Sequence, residues 1–214
     1  MNLLILGATG RTGALTVREA IKRGHHVTAV VRSKKKLAIP EVVCHEGSVT
    51  DVALMGKAAE SIDAAICCLN IARSSDFPWA KLISPETLIS DAIKTLIQVM
   101  EEKKTPRIIT MSAWGAGDSW KQMNRLFRLL IKISNIRFGF DDHNRQEDRL
   151  MASSLAWTIV RPVFLNDKDS SAYQVVSSRP PRLGISRQAV GAFMMDCLEQ
   201  NMFVHQTPVV CSEK

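Results

Sequence analysis

No stretch of this 214-residue sequence approaches the ~18 consecutive apolar residues that a membrane-spanning helix needs. The opening residues, Met-Asn-Leu-Leu-Ile-Leu-Gly, hold too short an apolar run for a secretory signal and no basic segment ahead of it. Cysteine is sparse and unpaired: Cys44, Cys67, Cys68, Cys197 and Cys211 make an odd count, with no Cys-x-x-Cys and no zinc-ligand spacing. A disulfide scaffold and a metal site are therefore not expected, and the thiols read as reduced, buried groups of a cytoplasmic protein. Eleven glycines and eight prolines are too few for a collagen-like or low-complexity chain. Carboxylates are in deficit, 21 against 28 lysines and arginines, so the formal charge is +7. That excess permits an anionic partner without naming one.

What is present is ordinary globular chemistry, 46% hydrophobic and 23% charged. The length suits one domain with a real core, and no repeat or linker divides it. Apolar runs read as strands at 3–6, 26–31, 42–45, 63–69, 107–111 and 157–160. Helical spacing covers 10–23, 51–59, 85–103, 120–134, 142–153 and 188–199. Strands alternating with helices predict βαβ units, hence an α/β fold: a doubly wound parallel sheet, one domain over 1–214. Ligands of such sheets sit beyond the carboxyl ends of the strands, so the loops after 6, 31, 45, 69, 111 and 160 are the places to look.

The first of these loops carries the strongest motif, Gly7-Ala8-Thr9-Gly10-Arg11-Thr12-Gly13. Gly7 permits a tight turn, Gly10 admits a pyrophosphate to the backbone, and Gly13 allows the helix to pack closely. The helix start then offers free N–H groups and the positive end of its dipole. Thr9 and Thr12 add hydroxyls. The spacing is G-x-x-G-x-x-G, and in a strand–turn–helix setting it points to a dinucleotide. Many NAD sites end the second strand with an acidic residue for the ribose 2′-hydroxyl. Here that strand runs into Arg32-Ser33-Lys34-Lys35-Lys36. Arg32, with Lys36, suits a 2′-phosphate, so NADP is expected rather than NAD. Lys34 and Lys35 read as solvated charge.

These features, with Trp157-Thr158-Ile159-Val160-Arg161-Pro162, resemble the atypical short-chain dehydrogenase/reductase group. That group includes NmrA-like proteins and NAD(P)H-flavin reductases, and the pattern looks most like biliverdin-IXβ (flavin) reductases. Thr110-Met111-Ser112-Ala113, Asp141-Asp142-His143 and Ile185-Ser186 extend the resemblance almost end to end. It implies a Rossmann fold. Gly7, Thr9, Gly10, Arg11 and Thr12 match the pyrophosphate loop, and Arg32 and Lys36 the 2′-phosphate pair. Ser48 and Val49 match an Asp-Val pair beside the adenine, with Ser48 departing from the aspartate. Leu69 and Asn70 match the ribose loop, and Ser112 the serine beside nicotinamide and substrate. Pro162, Val163 and Phe164 match the segment flanking the nicotinamide. The biliverdin-IXβ reductase pattern has a histidine where this chain has Phe164, which speaks less for tetrapyrroles than for flavins.

Better-known members of the superfamily use Tyr-x-x-x-Lys. The single tyrosine, Tyr173, has no lysine four residues on. Gly139 and His143 fall at the tyrosine and lysine positions of the resemblance. A reductase that places an acceptor against the nicotinamide, without a side-chain acid, remains compatible with this. Ser112 and His143 are the catalytic candidates. Ser112 either bonds the carboxamide or substrate or merely satisfies local backbone; His143 is either a proton donor or structural. Segments 112–142 and 163–186 are expected on the substrate side. Within the first, Trp114, Trp120, Met123, Phe127, Phe138 and Phe140 alternate with Lys121, Arg125, Arg128, Lys132 and Arg137. This is either a lid, whose charge suits FMN, or a helix with an inward apolar stripe and a basic solvent face.

The expected activity is NADPH-dependent hydride transfer to a flavin (FMN or FAD) or another planar acceptor. The competing expectation is a non-catalytic NADP-binding sensor of the NmrA type. A small-molecule acceptor is the expected partner of a monomer, with no nucleic acid and no membrane.

Overall fold

The computed structural model describes residues 1–37 and 39–213. Strands β1 (Asn2–Leu6), β2 (His26–Val31), β3 (Val43–Glu46), β4 (Ala64–Cys67), β5 (Arg107–Met111) and β6 (Ala156–Pro162) alternate with helices. The helices are α1 (Arg11–Lys22), α2 (Val52–Ala58), α3 (Leu88–Lys103), α4 (Arg125–Ile133), α5 (Arg137–Met151) and α6 (Arg187–Glu199). Four three-residue strands complete the set: β7 (Phe164–Asn166), β8 (Gln174–Val176), β9 (Gly184–Ser186) and β10 (Val209–Cys211).

The main sheet has the order β3-β2-β1-β4-β5-β6-β10-β8, and every pairing is parallel except β8 against β10. Strands β7 and β9 form a separate parallel pair. The order reverses between β1 and β4, the switch point where a crevice opens at the carboxyl edge. This is the Rossmann arrangement that the alternation predicted. Both faces of the sheet are buried, which is why its strands read as continuous apolar runs. Leu3 and Ile5 face one core with α1 and α6, while Leu4 and Leu6 face the other with α2, α3 and α5. Cys67 and Cys68 follow the same alternation and point into opposite cores. Burial pushes their pKa values up, to about 11 and about 12, which disfavours the thiolates.

Three boundaries differ from the pattern. The stretch 120–134 is not one helix: a 3-10 turn at Gly117–Gln122 stops at Met123, and α4 restarts because Asn124 Oδ1 accepts the Leu126 N–H at 2.8 Å. Helix α5 begins five residues before position 142. Helix α3 begins at Leu88 rather than Pro85, where the buried Asp142 carboxylate accepts the Ile89 N–H at 2.7 Å. Asp142 thus caps a helix 53 residues away, a role its sequence neighbourhood does not show.

Candidate functional site

The parallel strands bring most of the candidate residues to one edge of the sheet; Lys36 lies in the 3-10 turn after β2 and His143 within α5. The glycine loop follows β1, Arg32 follows β2, Ser48 and Val49 follow β3, Leu69 and Asn70 follow β4, Ser112 follows β5, and Pro162 closes β6 ahead of Val163 and Phe164.

In the glycine loop the Gly10 N–H donates to the Gly7 carbonyl at 2.8 Å. Helix α1 has neither a side-chain cap nor an acidic residue in its first turn. Its leading N–H groups therefore face the crevice without a partner from their own helix. Gly7 has φ +80°, and a Cβ there would lie 2.8 Å from the Cys68 carbonyl carbon on β4's extension. A Cβ on Gly13 would lie 2.1 Å from the Gly7 oxygen. Only hydrogen fits at these places, so the backbone can close on a diphosphate. Thr9 is exposed, whereas Thr12 is 5% exposed and packs under the loop. Arg11 reaches Asp76 at 3.1 Å, an exposed pair that an anionic ligand can displace cheaply.

Arg32 and Lys36 are exposed and, among the described residues, without an ion-pair partner. Lys36 closes a 3-10 turn, Lys34–Lys36, whose first N–H donates to Glu46 Oε2 at 2.9 Å. Glu46, on the neighbouring strand, thus shapes the basic loop, and no local pattern announced it. Ser48 Oγ accepts the Thr50 N–H at 3.2 Å, and Val49 packs on the second core. Leu69 packs on that core too, and Asn70 Oδ1 accepts the Ile71 N–H at 2.8 Å.

Beyond β4 and β5 lies a cleft of about 120 Å³, lined by Asn70, Ile71, Arg73, Ala113, Asn135, Ile136, Gly139, Phe140 and His143. No carboxylate and no tyrosine lines it; Tyr173 instead donates to Asp196 elsewhere. His143 is 3% exposed, and burial pushes its pKa down to about 4 against the opposing charge of Asp142. Gln146 Nε2 donates to the Met111 carbonyl at 3.0 Å and to His143 Nδ1 at 3.2 Å. Nδ1 is therefore the acceptor, and Nε2 carries the hydrogen of a neutral ring. At neutral pH His143 can offer a hydrogen bond but is not an imidazolium acid. A consequence is acid sensitivity. Unfolded histidine titrates near 6.5 and native His143 near 4, so the unfolded chain gains a proton first and stability falls as pH drops through this window. Between pH 7 and 5 the protein is expected to lose about 2 kcal/mol more than His143→Gln, measured by urea unfolding at each pH.

Ser112 is 2% exposed, and its Oγ donates to Glu147 Oε1 at 2.5 Å. Glu147 also takes Arg161 Nη2 at 2.6 Å, and the two side chains are 1% and 2% exposed. Arg161 Nη1 reaches Asp118 at 2.5 Å and holds that carboxyl below its usual range. Ser112 thus stands at the inner end of a Ser–Glu–Arg chain, buried as far as Arg161, whose outer carboxylate, Asp118, is exposed. Pro162 and Val163 are buried. The Val163 N–H donates to the Val210 carbonyl at 3.1 Å and the Phe164 N–H to that of Leu183 at 3.0 Å. That segment can flank a nicotinamide with side chains, but its amides are already used by β10 and the β7–β9 region. The Phe164 ring meets Phe127 edge-on at 4.9 Å.

Residues 7–201 match the NAD(P)H-binding family, which spans the glycine loop, the basic turn and the cleft. The chain belongs to that family. Within it, the chain is similar to YwnB of Bacillus subtilis, an uncharacterized protein, at 25% identity over 181 residues, 81% of this chain and 78% of YwnB. Among solved structures it is similar to ChuY, an anaerobillin reductase from Escherichia coli, with TM-score 0.82 and 21% identity over 100% of this chain and 98% of that one. It is likewise similar to a short-chain dehydrogenase/reductase from Veillonella parvula in complex with NADP, with TM-score 0.77 and 16% identity over 99% of this chain and 94% of that one. The family assignment makes a nicotinamide dinucleotide the cofactor, and the glycine cradle fits its diphosphate. No helix among the described residues is long and apolar enough to cross a membrane.

Proposed function

We propose that this NAD(P)H-binding protein is an NADPH-dependent reductase of a flat, conjugated acceptor, a flavin or a linear tetrapyrrole. The observation that carries this reading is the cleft beside Ser112, whose lining holds a neutral histidine, an aromatic ring and one arginine, but no acid. A bound dihydronicotinamide supplies hydride. The chain's own part is placement. The glycine loop and the α1 start hold the diphosphate, Arg32 and Lys36 hold the 2′-phosphate, and Ser112 orients the reactive end. Phe140 offers a ring face to the acceptor, and Arg73 meets an anionic side group. Acceptors of this kind can take their proton from water, and orientation can supply several kcal/mol of barrier lowering.

The test is NADPH oxidation at 340 nm with FMN, riboflavin and biliverdin, with NADH alongside. Turnover that favours NADPH supports the reductase. Arg32→Ala is then expected to raise the NADPH Kd between about 10- and 100-fold, because one or two hydrogen bonds to a charged group are lost, and to leave the NADH Kd nearly unchanged. Tight NADPH binding without turnover on any acceptor replaces this reading with the NmrA-type sensor, which the absence of an acid in the cleft also fits.

A further inference from the structure

The outward face of α4 carries an apolar stripe beside its exposed basic residues Arg125 and Lys132. Leu126, Leu129 and Ile133 are spaced three and four residues apart, one stripe of the helix, and are 77%, 54% and 59% exposed. The stripe does not stop at the helix end. Trp79 Nε1 donates to the Ile133 carbonyl at 3.0 Å, and the Trp79 ring meets Phe77 at 5.5 Å. Phe77 is 62% and Trp79 48% exposed. The opposite side of α4 is the packed one, with Ile131 buried and Phe127 against the core.

On α4's side of this patch the charge is of one sign; at the other end Asp76, beside Phe77, is exposed and pairs with Arg11 at 3.1 Å. Residues 119–140 contain Lys121, Arg125, Arg128, Lys132 and Arg137 and no carboxylate. On the helix, Arg125, Arg128 and Lys132 fall along one flank of the stripe. A second copy of the chain docking by this face would set these cations against their own equivalents, so a symmetric pair is opposed electrostatically. A neutral apolar partner would leave them unanswered. An anionic surface with an apolar layer beneath it satisfies both sets of side chains at once.

We propose that α4, with Phe77 and Trp79, docks this protein onto an anionic lipid surface. The leucines and Ile133 enter the acyl boundary, the cations lie among the headgroups, and Trp79 sits at the interface, where its ring is apolar and its N–H is already satisfied. This is peripheral attachment of a folded domain and needs no spanning segment. It also has a spatial consequence. The chain leaving α4 passes directly through Asn135 and Ile136, which line the cleft, so docking brings the cleft mouth next to the bilayer.

The test is flotation of the full-length protein with vesicles of phosphatidylcholine alone and of phosphatidylcholine with about one-third phosphatidylglycerol. Binding is expected only to the anionic vesicles and is expected to weaken as salt rises. Arg125→Ala/Arg128→Ala should weaken it about 25-fold, at roughly fivefold per cation. Leu126→Glu/Leu129→Glu should abolish it. Val43→Glu, at another exposed apolar position on β3, should leave it unchanged. Circular dichroism and NADPH binding check that each variant is folded. Absence of binding to anionic vesicles, equal binding to both compositions, or indifference to the α4 substitutions overturns the proposal. So does a dimer in light scattering that Leu126→Glu/Leu129→Glu dissolves, which would make a second copy the occupant.

Discussion

Glu147→Ala is expected to destabilise the protein by about 3–5 kcal/mol, because it removes the one buried carboxylate that, among the described residues, pairs with a buried cation, Arg161. Arg161 is 2% exposed, and its remaining carboxylate, Asp118, has a side chain 83% exposed to solvent. The guanidinium packs closely against the Gly117 backbone, where a Cβ would lie 2.4 Å from Nη2. For a chain whose total stability is of the order of 5–15 kcal/mol, this is a large fraction, and Tm should fall by about 10–15 °C. Removing both charges tells a different story. Glu147→Leu/Arg161→Met no longer strands a charge and should recover most of the loss, since a buried ion pair is worth little net against apolar packing. Thermal unfolding of the two variants separates the explanations: equal losses would mean that shape, not stranded charge, carries the effect. NADPH affinity should still fall in the double variant. Ser112 then lacks the carboxylate that fixes its hydroxyl, and that hydroxyl is free to turn.

The second large effect is expected at Gly13. In Gly13→Ala the new methyl would meet the Gly7 oxygen at 2.1 Å and the Gly7 carbonyl carbon at 2.7 Å. Both are backbone atoms of the loop, so relief requires α1 to back away from β1. Overpacking of this kind costs about 1–3 kcal/mol. The larger consequence is functional. Displacing the helix start removes donors from the diphosphate, and two charge-assisted bonds at roughly 1.5 kcal/mol each predict a loss in NADPH affinity of about 100-fold. Gly56→Ala is the internal comparison. Gly56 lies inside α2 with nothing within 4 Å of its would-be Cβ, so alanine there should stabilise by about 0.5–1 kcal/mol and leave affinity intact. Calorimetric titration of the three proteins with NADPH checks both statements.

Much of this site was legible because its signals are local. A turn that must take φ +80°, followed by a helix with no acidic first turn, is written in adjacent residues. So is the replacement of an acidic residue by Arg32 after β2. The apolar runs of β1, β2 and β5 announced themselves for the same reason, since a strand buried on both faces is apolar at most positions. The three-residue strands β7 to β10 were not legible. They are too short to show a period, and β10 exists because β6 offers it a ladder, with Val209 and Val210 beside Arg161 and Pro162.

By itself the sequence determined the alternation of strands and helices, the glycine cradle and the basic turn, because each depends on conformational preferences within a few residues. Tertiary structure alone decided the rest. Packing buried His143, which pushes its pKa down, and set Gln146 Nε2 against its Nδ1 at 3.2 Å. It set Glu147 against Arg161, 14 residues apart, and attached Ser112 to both. It sent Asp142 to cap α3. It turned the Leu126, Leu129 and Ile133 stripe outward, because Ile131 and Phe127 on the other side had a core to fill. Burial and long-range pairing set these outcomes, and neither is a property of a residue and its sequence neighbours.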